Sequence, residues 1–171
     1  MNKSTLKFAA CAVFLLACGV KANAQSSASA TATATIVTPI TISKISDMNF
    51  GNVAVQATAG GTVVMTPAGA RSATAGVTLP GTAGTVSAAS FTVNGQSGYT
   101  YTISLPAAVT ITDAASNNMT VNNFTSTPTP TGTLTGGTEN LLVGATLVVA
   151  MNQAPGVYTS ATPFTVTVNY N

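Results

Sequence analysis

The sequence contains no histidine and no tryptophan, and its two cysteines, Cys11 and Cys18, lie close to the N-terminus. Histidine is the usual general base near neutral pH, and histidine and cysteine are the usual zinc ligands. Cysteine is also a readily activated nucleophile. Because all of these groups are missing after residue 18, we expect a protein that is not an enzyme and that has no cofactor and no metal site.

The N-terminal segment has the composition of a bacterial secretory signal. Lys3 and Lys7 precede an apolar run over residues 8–20, and a small-x-small pattern ends at Ala24. The run is shorter than the ~20 apolar residues that a transmembrane helix needs, and no later stretch reaches that length. We predict a signal peptide over residues 1–24, no integral membrane segment, and a secreted, periplasmic or cell-surface protein. Lipid attachment through Cys18 is the alternative.

Charged residues make up only 5% of the chain, whereas about a quarter is usual in a soluble domain. Cleavage after Ala24 leaves two basic residues, Lys44 and Arg71, against three acidic ones, so the net charge becomes −1. This content gives no electrostatic footprint for nucleic acid and no polybasic membrane patch. The acidic residues are too far apart in sequence to indicate an acid–base pair or a calcium loop: Asp47, Asp113 and Glu139.

Apolar and polar residues alternate in short segments separated by Gly, Pro, Asn and Ser, and no window has the apolar spacing of a helix. The pattern predicts an all-β fold, an immunoglobulin-like two-sheet antiparallel sandwich over residues 36–171, with a closed barrel as the alternative. Residues 25–35, an alternation of Ser, Thr and Ala, form either a first strand or a flexible tether. The predicted strands cover residues 28–37, 40–44, 47–53, 61–66, 75–79, 88–94, 99–105, 109–112, 118–125, 140–151 and 164–170.

Two strand pairs carry the sandwich prediction. Residues 88–94 and 99–105 flank a Gly-containing loop and predict a hairpin. The second pair joins 140–151, which has the longest apolar stripe, to the terminal strand 164–170. Because both faces of 140–151 carry apolar residues, we expect it to be a central strand that is covered on both sides.

The terminal strand has one apolar face. Phe164, Val166, Val168 and Tyr170 alternate with polar residues, so they point to the same side of the sheet. Five aromatic residues are candidates for a sugar-binding face, although three of them alternate with aliphatic neighbours and are predicted to be core: Tyr99, Tyr101 and Tyr170, with Phe124 and Tyr158 as the other two.

Several segments together resemble a secreted bacterial family, the domain of unknown function 4402. That family is itself similar to spore-coat-U-like domains and to archaic chaperone–usher pilins. The terminal strand here resembles that of a pilin, with a penultimate Tyr170 and with Gly156 some way before it. The segments that carry the resemblance cover residues 34–42, 47–51, 88–95, 156–158 and 164–170.

The resemblance implies an incomplete, pilin-like sandwich that accepts a strand from a periplasmic chaperone or from a neighbouring copy. The leading hypothesis is a non-enzymatic structural or adhesive surface subunit that assembles by strand exchange. Residues 26–37, which include Ile36 and Val37, would be the donor strand. The acceptor rim would consist of the four alternating residues of the terminal strand: Phe164, Val166, Val168 and Tyr170. The alternative is a self-contained monomeric module that binds a glycan or another envelope component.

Overall fold

The computed structural model describes residues 24–171, so Cys18 and all of the predicted signal peptide except Ala24 lie outside the described residues. The described chain is all-β, as predicted, and it contains no helix long and apolar enough to cross a membrane. A single 3-10 turn spans Thr135–Gly137. The strands are β1 (Thr41–Ser46), β2 (Ala54–Val55), β3 (Gly61–Met65), β4 (Arg71–Ala73), β5 (Val77–Thr78), β6 (Ala89–Asn94), β7 (Thr100–Ser104), β8 (Ala108–Thr112), β9 (Asn118–Thr127), β10 (Thr131–Thr133), β11 (Thr138–Val149) and β12 (Thr167–Tyr170).

The central strand of the larger, seven-stranded sheet is β11, as its apolar stripe predicted. Along one edge it pairs first with β6 and then with β3, and along the other edge it pairs with β9. On its inner face, Leu141, Val143 and Leu147 are buried in the core. The outer face is covered only in its middle, because Thr146 is buried while Val148 is 38% exposed. The prediction that both faces are covered therefore holds only in part.

The predicted hairpin between residues 88–94 and 99–105 is wrong. Strand β6 lies in the seven-stranded sheet, whereas β7 is the middle strand of a separate three-stranded sheet with the order β10-β7-β12. Their connecting loop bonds instead to the β10–β11 connection, since the N–H of Gly98 donates to the carbonyl of Leu134 at 2.8 Å. The reason is packing: Val93 and Tyr101 are both fully buried in one core cluster, which strands from both sheets line.

The terminal strand also pairs differently from the prediction. Strand β12 is antiparallel to β7, with Val168 opposite Ile103, and it does not pair with β11. Val168 belongs to the same core cluster as Leu141 and Val143 of β11, so the two strands line that core from different sheets. A second cluster lies between β3, β9 and β11.

Two other predicted strands are absent. Residues 28–37 have no strand, and residues 47–53 form only an isolated bridge between Asn49 and Ser87. Residues 24–36 are exposed in the described structure. All the strands lie within the compact unit formed by residues 36–171.

Candidate assembly site at two open strand edges

The apolar face of the terminal strand is turned into the core, which confirms the predicted alternation. Val166 and Val168 are only 8% and 7% exposed, and Phe164 and Tyr170 are half-buried against the same cluster. Phe164 packs on Phe124 of β9 with ring centroids 5.1 Å apart. These side chains therefore hold the strand in place by burial.

The backbone of the terminal strand is open on its outer edge. Strand β12 pairs with β7 and is the last strand of its sheet. The N–H of Asn171 donates to the carbonyl of Thr100 at 3.2 Å. Backbone groups in an antiparallel strand alternate in direction, so those of Asn169 and Thr167 face β7 while those of Val168 face outward. No strand of residues 24–171 pairs with this outer edge.

The Tyr170 hydroxyl joins three separate parts of the chain. It accepts a hydrogen bond from the backbone N–H of Gln96 at 2.6 Å and donates one to the carbonyl of Thr38 at 2.7 Å. The side-chain oxygen of Gln96 accepts from the N–H and the hydroxyl of Thr38 at 3.3 and 3.2 Å. A Cβ at Gly95 would collide with the Tyr170 hydroxyl, so a side chain there would displace this hydroxyl from its position. This junction links the residues just before β1 to the terminal strand within the unit formed by residues 36–171.

The structure places the six predicted assembly residues in different surroundings. Ile36 is 93% exposed and Val37 is half-buried, directly before the Thr38 that bonds to Tyr170. Phe164 lies at the opposite end of the terminal segment from Tyr170. Proximity of Tyr170 to the start of the domain was not visible in the sequence, because the two positions are 132 residues apart.

A second open edge, which the sequence reasoning did not identify, belongs to β8. Strand β8 pairs with β9 only, apart from one isolated bridge at its end between Thr112 and Thr159. The two residues exchange backbone hydrogen bonds of 2.9 and 3.0 Å. After Thr159 the chain diverges from β8, and a groove of about 510 Å³ opens between β8 and residues 161–165. Val109 and Phe164 are among its lining residues, and no charged side chain lines it.

The turn beyond this groove is held by Asp113. Its carboxylate accepts from the side-chain amide of Asn117 at 2.8 Å and from the backbone N–H groups of Asn117 and Ala115 at 2.7 and 2.9 Å. The hydrogen bond from the Asn117 side chain, followed by the backbone hydrogen bonds, lowers the pKa of Asp113. The charged form therefore fixes the β8–β9 turn.

The aromatic residues do not form one surface. Tyr101 is fully buried, as predicted, and burial together with its hydrogen bond to Glu139 raises its pKa. Tyr99 was predicted to be core but is 44% exposed, with its ring edge-on to Tyr170 at 5.6 Å between centroids. Tyr158 is half-buried and donates to the carbonyl of Ala154. Of the five candidate aromatic residues, Tyr99 and Tyr170 are the two whose rings lie against each other.

Chemistry-bearing side chains are sparse throughout the described part of the chain. Within residues 24–171, no group of three or more His, Cys, Asp or Glu side chains is placed to hold a metal ion. Lys44 and Asp47 form an ion pair of 2.7 Å, and both side chains are exposed. An exposed pair of this kind contributes about 1 kcal/mol or less.

Taken together, the fold and the open edges define a small all-β domain whose free backbone groups, rather than reactive side chains, are its most distinctive surface feature. The chain belongs to the family described as domain of unknown function DUF4402, whose model matches residues 40–170. That match confirms the predicted membership of this family. Comparison with curated proteins and with solved structures gives no significant match to either.

Proposed function

We propose that this protein is an exported structural or adhesive surface subunit that assembles by β-strand exchange, with an immunoglobulin-like, pilin-like sandwich as its fold. One observation carries the proposal. An open strand edge on the folded domain coexists with an N-terminal segment, residues 26–37, that is exposed up to Ile36 and has the alternation of a strand but no strand partner among residues 24–171. Addition of this segment as a strand would supply main-chain hydrogen bonds to the open edge and would give the segment a strand partner.

The way the sheet edges are protected supports this proposal. Soluble proteins protect edge strands with charges, prolines, bulges or short length. Strand β1 carries Lys44 and a bulge between Lys44 and Ser46, and β4 is three residues long and contains Arg71. Strand β10 has three residues and follows Pro130. Strands β8 and β12 contain no charge and no proline. The unprotected edges are therefore the ones suited to a partner strand.

The resemblance of the terminal strand to that of archaic chaperone–usher pilins, and of the family to spore-coat-U-like domains, supports the same function. In such systems a periplasmic chaperone holds the subunit before assembly. We therefore propose a secreted, periplasmic or cell-surface location and a chaperone or a second copy as the partner.

Self-association of the exported protein tests the proposal. Light scattering combined with intact-mass spectrometry should show concentration-dependent oligomers of the natural chain. Deletion of residues 26–37 and the variant Ile36→Asp should each weaken association at least tenfold. Val157→Asp is the matched control, because Val157 is also strongly exposed but lies outside the segment. A stable monomer, or oligomers that survive the deletion, would contradict strand exchange.

A second candidate function is a self-contained monomeric module that binds a glycan or another envelope component. The exposed ring of Tyr99 beside Tyr170 is the observation in its favour, because aromatic faces stack on sugars. Glycan-array binding that Tyr99→Ala abolishes in a monomeric protein would support this alternative. Absence of binding to every glycan on the array would contradict this second candidate function.

A further inference from the structure

We infer that the groove along β8 is the acceptor site, and that it takes residues 26–37 of a second copy of this chain as an added strand antiparallel to β8. This inference rests on the proposed function and names the surface on which the exchange takes place. The competing acceptor is the outer edge of β12. Strand β8 is favoured by the groove beside it and by the apolar surface that an added strand would cover.

Backbone N–H and carbonyl groups of β8 face outward, where an added strand could bond to them. Both the N–H and the carbonyl of Thr112 face outward, since both bond to Thr159. The direction of backbone groups alternates along an antiparallel strand, so the groups of Thr110 and Ala108 face outward as well. No strand of the described chain pairs with them. An incoming strand would continue the ladder that the Thr112–Thr159 bridge begins.

The groove suits a strand with small side chains. Its volume is about 510 Å³, and alanine, threonine and proline make up most of its lining, including Ala108 and Ala161. In residues 26–37, alanine occupies every second position from Ala28 to Ala34. The alternation of Ser/Thr and Ala therefore matches this surface in size.

Charge and apolar burial also favour β8. No charged residue occurs between Lys21 and Lys44, and none lines the groove, so pairing would desolvate no charge. At β12 the side chain of Val168 is already buried, as is that of Val166 just before the strand, and an added strand would cover little more of them. At β8 it would cover Val109 and Phe164, which are half-buried and line the groove.

A second copy is the occupant because no strand of residues 24–171 in the single chain pairs with the segment. Residues 26–37 form no strand in the structure of one chain, and Ile36 is 93% exposed. The five residues of β8 extend over about 17 Å at ~3.3 Å per residue. The segment is more than twice that length, so it can fill the groove and still connect two domains.

Disulfide trapping between separate chains tests the assignment. The natural sequence has no cysteine after Cys18, so the exported chain, with its start verified by intact mass, offers only introduced thiols. Chains with Thr110→Cys are mixed with chains that carry a donor cysteine and are then oxidised. The comparison acceptor is Asn169→Cys on β12, which is exposed as Thr110 is. A disulfide needs Cα atoms within about 7 Å, so donor variants Thr31→Cys, Thr33→Cys and Thr35→Cys sample the register.

The expected result is a mixed dimer from Thr110→Cys with at least one donor variant, at a yield at least tenfold above that with Asn169→Cys. Crosslinking through Asn169→Cys alone would overturn the assignment to β8 and leave strand exchange standing. A disulfide formed within one monomeric chain that carries both cysteines would overturn the second copy as occupant. Absence of every crosslink in a monomeric protein would overturn both the inference and the proposed function.

Hydrogen exchange gives a second measurement that needs no substitution. In the assembled protein, the amides of Ala108 and Thr110 should exchange at least tenfold more slowly than in the chain without residues 26–37. The amide of Thr112 is an internal control, because its bond to Thr159 is present in the single chain. Unchanged exchange at Ala108 and Thr110 in an oligomer would overturn the β8 assignment.

Discussion

At the scale of single residues, one polar group, the Tyr170 hydroxyl, links the terminal strand to the residues before β1. Tyr170 is the next-to-last residue, yet its hydroxyl joins Gln96 of the loop after β6 to Thr38 before β1. Fraying of terminal residues is usual unless they are tied down. The position of a residue near the chain terminus therefore does not predict a minor role here.

Replacing Tyr170 with Phe should lower the free energy of unfolding. The change removes two hydrogen bonds at a half-buried site and keeps the ring, so the expected loss is about 1–3 kcal/mol at roughly 0.5–1.5 kcal/mol per bond. Urea unfolding followed by circular dichroism measures it. Tyr99→Phe is the matched control, since the structure shows no hydrogen bond from the Tyr99 hydroxyl to a described residue. Equal stability of the two variants would show that the junction contributes nothing.

Asp113 should make the stability dependent on pH in the acid range. Its pKa is lowered in the folded protein, so its contribution is present above the unfolded-state pKa and is lost as pH falls through the folded-state pKa. Urea midpoints measured across the acid range should therefore fall more steeply with decreasing pH for the natural chain than for Asp113→Asn. Parallel pH profiles would show that the turn does not depend on the carboxylate.

At the scale of elements, β11 organises the sheet because three strands pair with it. Gly144 lies in its middle, where a Cβ would collide with the carbonyl of Met65 and with the backbone of Thr66 and Pro67. The absence of a side chain allows the chain leaving β3 to cross close to β11. The bulge in β9 opposite residues 144–146 is in the same region.

Substitution of Gly144 by Ala should therefore destabilise the domain. Backbone atoms cannot move aside as easily as a flexible side chain, and overpacking of this kind costs about 1–3 kcal/mol. Gly81→Ala is the matched control, because a Cβ there meets no atom within 4 Å. Thermal and urea unfolding should give a lower free energy of unfolding for Gly144→Ala than for Gly81→Ala. A Gly144→Ala domain as stable as the control would mean that the crossing adjusts without strain.

At the scale of the whole molecule, the edge strands of the described sheets differ in how they are protected. The edge strands β1, β4 and β10 carry a charge or a bulge or are only three residues long, while β8 and β12 are longer than three residues and contain no charge and no proline. On the proposed function, the open edges are retained because assembly covers at least one of them. The disulfide-trapping and exchange experiments then report which edge is used.

The sequence by itself determined the all-β class, the central position of β11 and the inward face of the terminal strand. These properties follow from a side-chain period of two, which is local and can be read from a few residues. It also indicated the family, since the matching segments are short but ordered along the chain. Tyr101 was correctly assigned to the core for the same reason of alternation.

Only the tertiary structure decided which strands pair and which edges stay open. Val93 and Tyr101 have the same local pattern whether they lie in one hairpin or in two sheets that share a core, so alternation could not separate the two. The exposure of Tyr99, the contact of Tyr170 with Thr38 and the groove along β8 depend on residues far apart in sequence. Such long-range contacts arise from how the sheets share a core, and no local pattern encodes them.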